Sequence, residues 1–253
     1  MNLQPLETYL SLCTEVYDLS KPTPDKDAYE FYLDYVKNTE GLILEPMCGT
    51  GRMLLPLLDA GFNIEGFDAS PQMLEALQKK AKQKNLQPNI WQGFLEDLNV
   101  SQKYSLIIIP IGSFCLITDL EKVKLCLTKI YNALQKEGLF VFEVETLFAV
   151  PAQFNVWNGS LWRREDGSFI LSSSFALPLE DKVGTSIGKY EWVKDSHIIQ
   201  TEIEEYKLRL YEKNELIEIL KEIGFTDIKT HKAFEKNVQP GIKDENIVFE
   251  CRK

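Results

Sequence analysis

The chain has 253 residues, 44% of them hydrophobic, and a formal net charge of −10 from 28 Lys and Arg against 38 Asp and Glu. That length suits one α/β domain with an appended element, and the apolar share supports a sizeable core rather than disorder. The acidic balance argues against nucleic acid as a partner, because the short basic run Lys79-Lys80-Ala81-Lys82 with Lys84 reads as the solvated end of a helix.

Residues 1–40 read as a helical N-terminal cap. In its second helix Ala28, Phe31, Tyr32, Tyr35 and Val36 share one face, with Thr23 as cap and Pro24 at the first helical position. The stretch from Val16 to Pro22, which contains Tyr17, reads as a polar and aromatic linker. Residues 41–150 alternate strand and helix: strands at 42–44, 63–68, 89–92, 104–110 and 139–144, and helices at 52–58, 70–82 and 120–135. Ser70 caps the second of these helices, with Pro71 at its first position. This rhythm predicts a parallel, doubly wound α/β sheet with helices on both faces.

Residues 151–212 change character. Period-two alternation, as in Ile199-Gln200-Thr201-Glu202-Ile203-Glu204, predicts an antiparallel β insertion of about four strands, with turns at Gly167, Gly184 and Asp195-Ser196. Residues 213–253 return to the main fold with a helix stopped by Gly224 and strands at 226–230 and 247–251, completing a cofactor-binding domain of 41–150 and 213–253.

The strongest chemical signal is Leu44-Glu45-Pro46-Met47-Cys48-Gly49-Thr50-Gly51-Arg52, between a buried strand and a helix. Gly49 and Gly51 allow a tight turn and close approach to a ligand, and the helix start that follows favours a negative group. Asp68 closes the next strand, about where a dinucleotide fold places its ribose-binding carboxylate. The two features together do not separate a nicotinamide cofactor from S-adenosylmethionine. Leu54 stands where the nicotinamide fingerprint needs a third small residue. Glu45 would repel a pyrophosphate but suits a methionyl ammonium, and it decides for S-adenosylmethionine.

Glu45-x-x-x-Gly49-Thr50-Gly51-Arg52, followed by Gly66-Phe67-Asp68-Ala69-Ser70-Pro71-Gln72-Met73-Leu74, resembles the first two motifs of class I S-adenosylmethionine-dependent methyltransferases. Tyr104 to Pro110, Leu134 to Leu139, and Leu208-Arg209-Leu210-Tyr211 with Leu220 to Phe225 resemble later segments of the small-molecule branch. The resemblance implies a seven-stranded Rossmann-like sheet carrying the β insertion. It also implies that Glu45 contacts the cofactor amino group and that the backbone at Met47, Gly49 and Gly51 lines the methionyl carboxylate and sulfonium. Asp68 would bind the ribose hydroxyls, Ala69 and Met73 would flank the adenine, and the amides of Phe94 and Leu95 would meet its edge. Tyr17, Arg52 and Pro110 complete the implied set. Two departures stand out. Met47 replaces the first glycine of the turn, tolerable only at negative φ, and Phe94 replaces an acid at the adenine amino group, a contact left to Glu96, Asp97 or water.

The substrate side is read from position. Ser113 and Phe114 follow the fourth strand and face the transferred methyl, while Glu143 and Glu145, near the end of the fifth, are candidates to hold a substrate cation or to close a salt bridge. Trp157 and Trp192 are candidates to wall a pocket in the insertion, and no catalytic base is named. His197 follows a turn, and His231 is expected at the surface just past a strand. No cluster of His, Cys and carboxylates has metal-ligand spacing, so no metal is expected. The odd count of five cysteines, without Cys-x-x-Cys, suits a reducing compartment. No basic region precedes an apolar one at the start, and no apolar run reaches the roughly 18–20 residues of a membrane helix. A cytoplasmic protein acting on a small molecule is therefore expected, with the insertion as a substrate lid whose outer strand can pair with a second copy. The rival readings are a NAD(P)-dependent oxidoreductase and a non-catalytic S-adenosylmethionine-binding module.

Overall fold

The computed structural model describes residues 6–253, so the part of the expected cap at residues 1–5 lies outside the described residues. Six α-helices and eleven strands form two sheets among the described residues: α1 (Ser11–Ser20), α2 (Lys26–Lys37), β1 (Ile43–Pro46), α3 (Leu54–Asp59), β2 (Ile64–Asp68), α4 (Pro71–Gln83), β3 (Asn89–Gln92), β4 (Tyr104–Ile109), α5 (Leu120–Ala133), β5 (Leu134–Glu145), β6 (Trp157–Arg163), β7 (Phe169–Ala176), β8 (Val183–Lys194), β9 (His197–Arg209), α6 (Lys213–Ile223), β10 (Thr226–Lys232) and β11 (Asn246–Arg252).

The main sheet has seven strands in the order β10-β11-β5-β4-β1-β2-β3. β1 pairs in parallel with both β2 and β4, and only β11 runs against its neighbours. The expected doubly wound architecture is therefore present. Two apolar clusters cover its faces. One packs Phe140, Phe142 and Phe249 against Ile130 of α5 and Leu220 of α6. The other packs Ile43, Ile108 and Val141 against Tyr32 of α2, Leu54 of α3 and Leu77 of α4. The strand order reverses between β1 and β4, and a crevice opens there beyond the carboxyl ends of the strands.

The insertion is a four-stranded antiparallel sheet, β6-β7-β8-β9. Its last hairpin turns at Asp195 and Ser196, both at positive φ (49° and 61°), as a two-residue turn matched to strand twist requires. Gly184 lies inside β8 rather than in a turn. Local differences elsewhere have physical causes. α2 starts at Lys26 with Asp25 in the capping position, so Thr23 and Pro24 precede the helix. α1 continues to Ser20 and absorbs Tyr17, which sequence polarity had placed in a linker. α5 stops at Ala133 because Leu134 is already extended and pairs with Tyr104, and the Lys136–Gly138 stretch is taken up as an irregularity of β5, with Glu137 at φ 61°. Among the described residues no helix is long and apolar enough to cross a membrane.

Candidate functional site

A cavity of about 410 Å³ lies over the crevice at β1 and β4. Its floor comes from the turn after β1. There Cys48 N–H donates to the Phe67 carbonyl at 3.0 Å, and Gly49 N–H donates to Asp68 Oδ2 at 2.8 Å. Asp68 Oδ1 accepts Ser70 N–H at 2.8 Å, so one carboxylate ties the ends of two strands together. Burial pushes Asp68 above the usual carboxylate range, and the Ser70 and Gly49 amides oppose that shift.

Met47 sits at φ 57°, which overturns the expectation of a negative φ. The first position of the turn is left-handed whatever residue fills it, and the apolar contacts of the Met47 side chain with the core offset the strain. Gly51, at φ 77°, does not line the cavity. A Cβ there would stand 2.7 Å from Leu77 Cγ, so its glycine serves the packing of α4 against the turn.

Glu45 and Arg52 both line the cavity and are only 3% and 6% exposed. Glu45 Oε2 and Arg52 Nε and Nη2 are buried without a hydrogen-bond partner. Burial holds Glu45 well above the carboxylate range, with Arg52 pulling it down and Asp68 pushing it up. A buried unmatched carboxylate beside a buried unmatched guanidinium is costly unless a ligand satisfies both. The Arg52 guanidinium also lies 5.2 Å from the centre of the Tyr17 ring, which brings α1 over the turn.

Ala69, Met73, Phe94, Leu95 and Pro110 line the cavity, together with Glu96. Ser113 lines it too. Phe114 does not: it is fully buried against Phe142 and Tyr211, which makes it a core residue. Glu143 and Glu145 lie behind the wall rather than on it, and Glu143 Oε2 accepts Ile111 N–H at 3.0 Å. Trp157 stacks on Phe175 at the outer edge of the small sheet, and Trp192 lies under Arg164 and donates to Ser168, so neither reaches the cavity. His197 is exposed, as its turn position indicates. His231 is not at the surface: it lies within β10, buried, with Asn237 N–H donating to Nδ1 and Glu250 beside Nε2. No group of three metal-ligating side chains forms among the described residues.

Sequence reasoning named a covering insertion but not the residues with which it meets the cavity. Tyr9, Glu205, Tyr206 and Lys207 line the cavity from the segment before α1 and from β9. The Tyr9 and Tyr206 rings meet edge to face at 5.9 Å, and burial raises both phenols, Tyr206 to about 12. Glu204 accepts Tyr9 N–H and Leu10 N–H at 2.8 and 2.9 Å, and Glu202 accepts Leu12 N–H at 2.7 Å. α1 has no side-chain cap of its own, so carboxylates of β9 satisfy its first amides. Period-two alternation located β9 but gave no sign of which end of it meets the cavity.

The sheet order and the cavity at its switch point, lined by Glu45 and Asp68, are those of an α/β fold with a ligand crevice at the carboxyl edge of its sheet. Residues 43–138 match the family described as a methyltransferase domain. The chain is 22% identical over 238 residues to the putative methyltransferase YqeM of Bacillus subtilis, covering 94% of each. Among solved structures it is similar to an S-adenosylmethionine-dependent methyltransferase from Clostridium acetobutylicum (TM-score 0.77, 20% identity, 94% of this chain and 96% of that one). It is also similar to the sugar N-methyltransferase KedS8 from Streptoalloteichus (TM-score 0.77, 14% identity, 100% and 98%). Residues 43–138 thus match a methyltransferase domain, and the fold of the whole chain is that of S-adenosylmethionine-dependent methyltransferases.

Proposed function

We propose that the enzyme methylates a nitrogen of a small amine. The observation that carries this reading is the composition of the cavity wall: Tyr9, Tyr17 and Tyr206 with Glu205 and Lys207, and no imidazole among the described residues that line it. Three phenol rings beside carboxylates suit a cationic or incipiently cationic nitrogen, through ring faces and opposite charge. The phenols make poor bases, since burial raises all three above their ordinary range. A neutral amine needs no base before it attacks, whereas a hydroxyl is helped by one. KedS8, whose fold this chain shares, is named for nitrogen transfer to a sugar.

The unmatched polar atoms fit the methionyl end of the cofactor. Glu45 would hold its ammonium, Arg52 its carboxylate and Asp68 the ribose hydroxyls, with Met73 and Phe94 against the adenine. When bound, S-adenosylmethionine supplies a methyl group activated by a positive sulfur. The chain's own part is alignment and exclusion of water. β9 of the insertion would serve as the lid through Glu205, Tyr206 and Lys207, with Tyr9 and the Tyr17 side of α1 beside it, all of which line the cavity. The volume of about 410 Å³ is near the small end for ligand cavities, so a compact acceptor fits best. The test is transfer of a labelled methyl to matched panels of small amines and alcohols. Labelling of amines is expected, and labelling confined to hydroxyl compounds would overturn the reading.

A further inference from the structure

β4 ends in a turn that a β-branched residue should avoid. Ile111 has φ 61° and Gly112 has φ 68°. Glycine takes this region freely, but a β-branched residue there is an outlier that persists only where its surroundings over-determine it. Four hydrogen bonds hold the segment. Ile111 N–H donates to Glu143 Oε2 at 3.0 Å, Ser113 N–H to the Pro110 carbonyl at a long 3.4 Å, Cys115 N–H to the Gly112 carbonyl at 2.9 Å, and Glu145 N–H to Cys115 Sγ at 3.2 Å. The second closes the turn over Ile111 and Gly112, and the first is the bond that Ile111 itself makes to a side chain. Pro110, Ile111 and Ser113 line the cavity, while Glu143, 2% exposed on β5, stands behind them.

We infer that Glu143 is a positioning residue for methyl transfer: it pins the Ile111–Gly112 turn in its left-handed form and so fixes the wall against which the acceptor is aligned. The inference rests on the proposed acceptor site only in taking this turn as that wall. The groups that act on Glu143 are Glu145 on the same strand, Arg52 after β1, Asp25 and Tyr32 at α2, and Cys115 in the turn itself. Burial raises Glu143 to about 7, and the Ile111 amide opposes the shift. The ionised carboxylate is the stronger acceptor, so the turn tightens as pH rises through 7.

The test uses the full chain with Glu143→Gln, which keeps an oxygen for the amide without titrating, and Glu143→Leu, which keeps the bulk without an acceptor. Amide exchange at Ile111, followed by NMR and corrected for intrinsic rate, should lose about tenfold protection in the Leu variant and stay within about threefold of wild type in the Gln variant. Binding of S-adenosylhomocysteine should stay within about threefold in both. In turnover the Leu variant should lose about ten- to a hundredfold in kcat, and the Gln variant should lose the limb near pH 7, staying at the level that wild type shows below it. In an Ile111→Gly background the turn no longer needs pinning, so Glu143→Leu should cost several-fold less than in wild type. Unchanged Ile111 protection in the Leu variant, or a surviving limb near pH 7 in the Gln variant, overturns the inference. The exchange measurement needs no acceptor, so failure of the amine reading and failure of this one are separable, and the Gln variant decides alone if the Leu variant does not fold.

Discussion

Replacing Glu45 by Gln removes a charge from the cavity and changes almost nothing in shape. Glu45 is buried, one of its oxygens has no partner, and burial raises it well above the carboxylate range. In the free protein, therefore, the carboxyl tends to hold its proton, and an approaching ammonium must displace it. A charge-assisted hydrogen bond is worth about 1.5–3 kcal/mol and the neutral one that Gln retains about 1 kcal/mol. The net loss of about 0.5–2 kcal/mol corresponds to affinity weaker by about two- to thirtyfold. The sign with pH follows from the direction of the shift. A raised carboxylate is protonated at low pH, so cofactor affinity should climb as pH rises and the group ionises, and binding should release a proton.

Calorimetry with S-adenosylhomocysteine in buffers of different ionisation enthalpy measures both effects together. Wild type should show a buffer-dependent enthalpy and Glu45→Gln should show little. The folded variant should be at least as stable as wild type at alkaline pH, since it no longer buries an unmatched charge. Unchanged affinity together with an unchanged proton count would refute the ammonium role. It would leave Glu45 as a residue of the strand end.

Three further outcomes are expected. Asp68→Ala should weaken cofactor binding by about ten- to a hundredfold and also lower the melting temperature by several degrees, because the Gly49 and Ser70 amides lose their acceptor; calorimetry and thermal scans read the two separately. Replacing Glu202 and Glu204 together by Ala should release the start of α1, raise protease cleavage near Tyr9 and reduce kcat, and undiminished protection of that segment would refute the latch. Glu143 at about 7 against an ordinary 4.5 represents about 3 kcal/mol at 1.36 kcal/mol per decade, present below pH 4.5 and lost as pH rises through 7; Glu143→Gln should flatten that part of the stability profile, as denaturant titration from pH 5 to 8 would show.

The main fold was legible because its signals are local. Buried runs such as 106–109 leave little freedom, Ser70-Pro71 announces a helix start, and Gly224 announces a stop that the structure places at φ 114°. That Glu45, Gly49 and Asp68 would share one cavity was legible for the same reason, since they sit at fixed distances from strand ends. The acceptor side was not. Tyr9 and Tyr206 are 197 positions apart in number, and what joins them is the latch of Glu202 and Glu204 on α1, a tertiary contact without periodicity. Phe114 and the tryptophans were misplaced because an aromatic near an active edge satisfies a core as well as a pocket. His231 was misplaced because β10 runs two residues further than its apolar pattern, to Lys232.

Both loops that flank the switch point carry a side chain where glycine would be easier: Met47 at φ 57° after β1 and Ile111 at φ 61° after β4. Each costs on the order of 1–3 kcal/mol, and such strain collects where a backbone must present particular groups. The two are held in the same manner. After β1, Asp68 takes the Gly49 amide and the Phe67 carbonyl takes that of Cys48; after β4, Glu143 takes the Ile111 amide. In both cases a buried carboxylate from the neighbouring part of the sheet fixes a strained turn. Those carboxylates are destabilised by burial, so the turns are held at the expense of two groups that would be more stable in water. A fold selected for stability alone would place glycines at 47 and 111. The stored strain is therefore better explained by the groups that the backbone must present at the switch point than by the needs of the sheet.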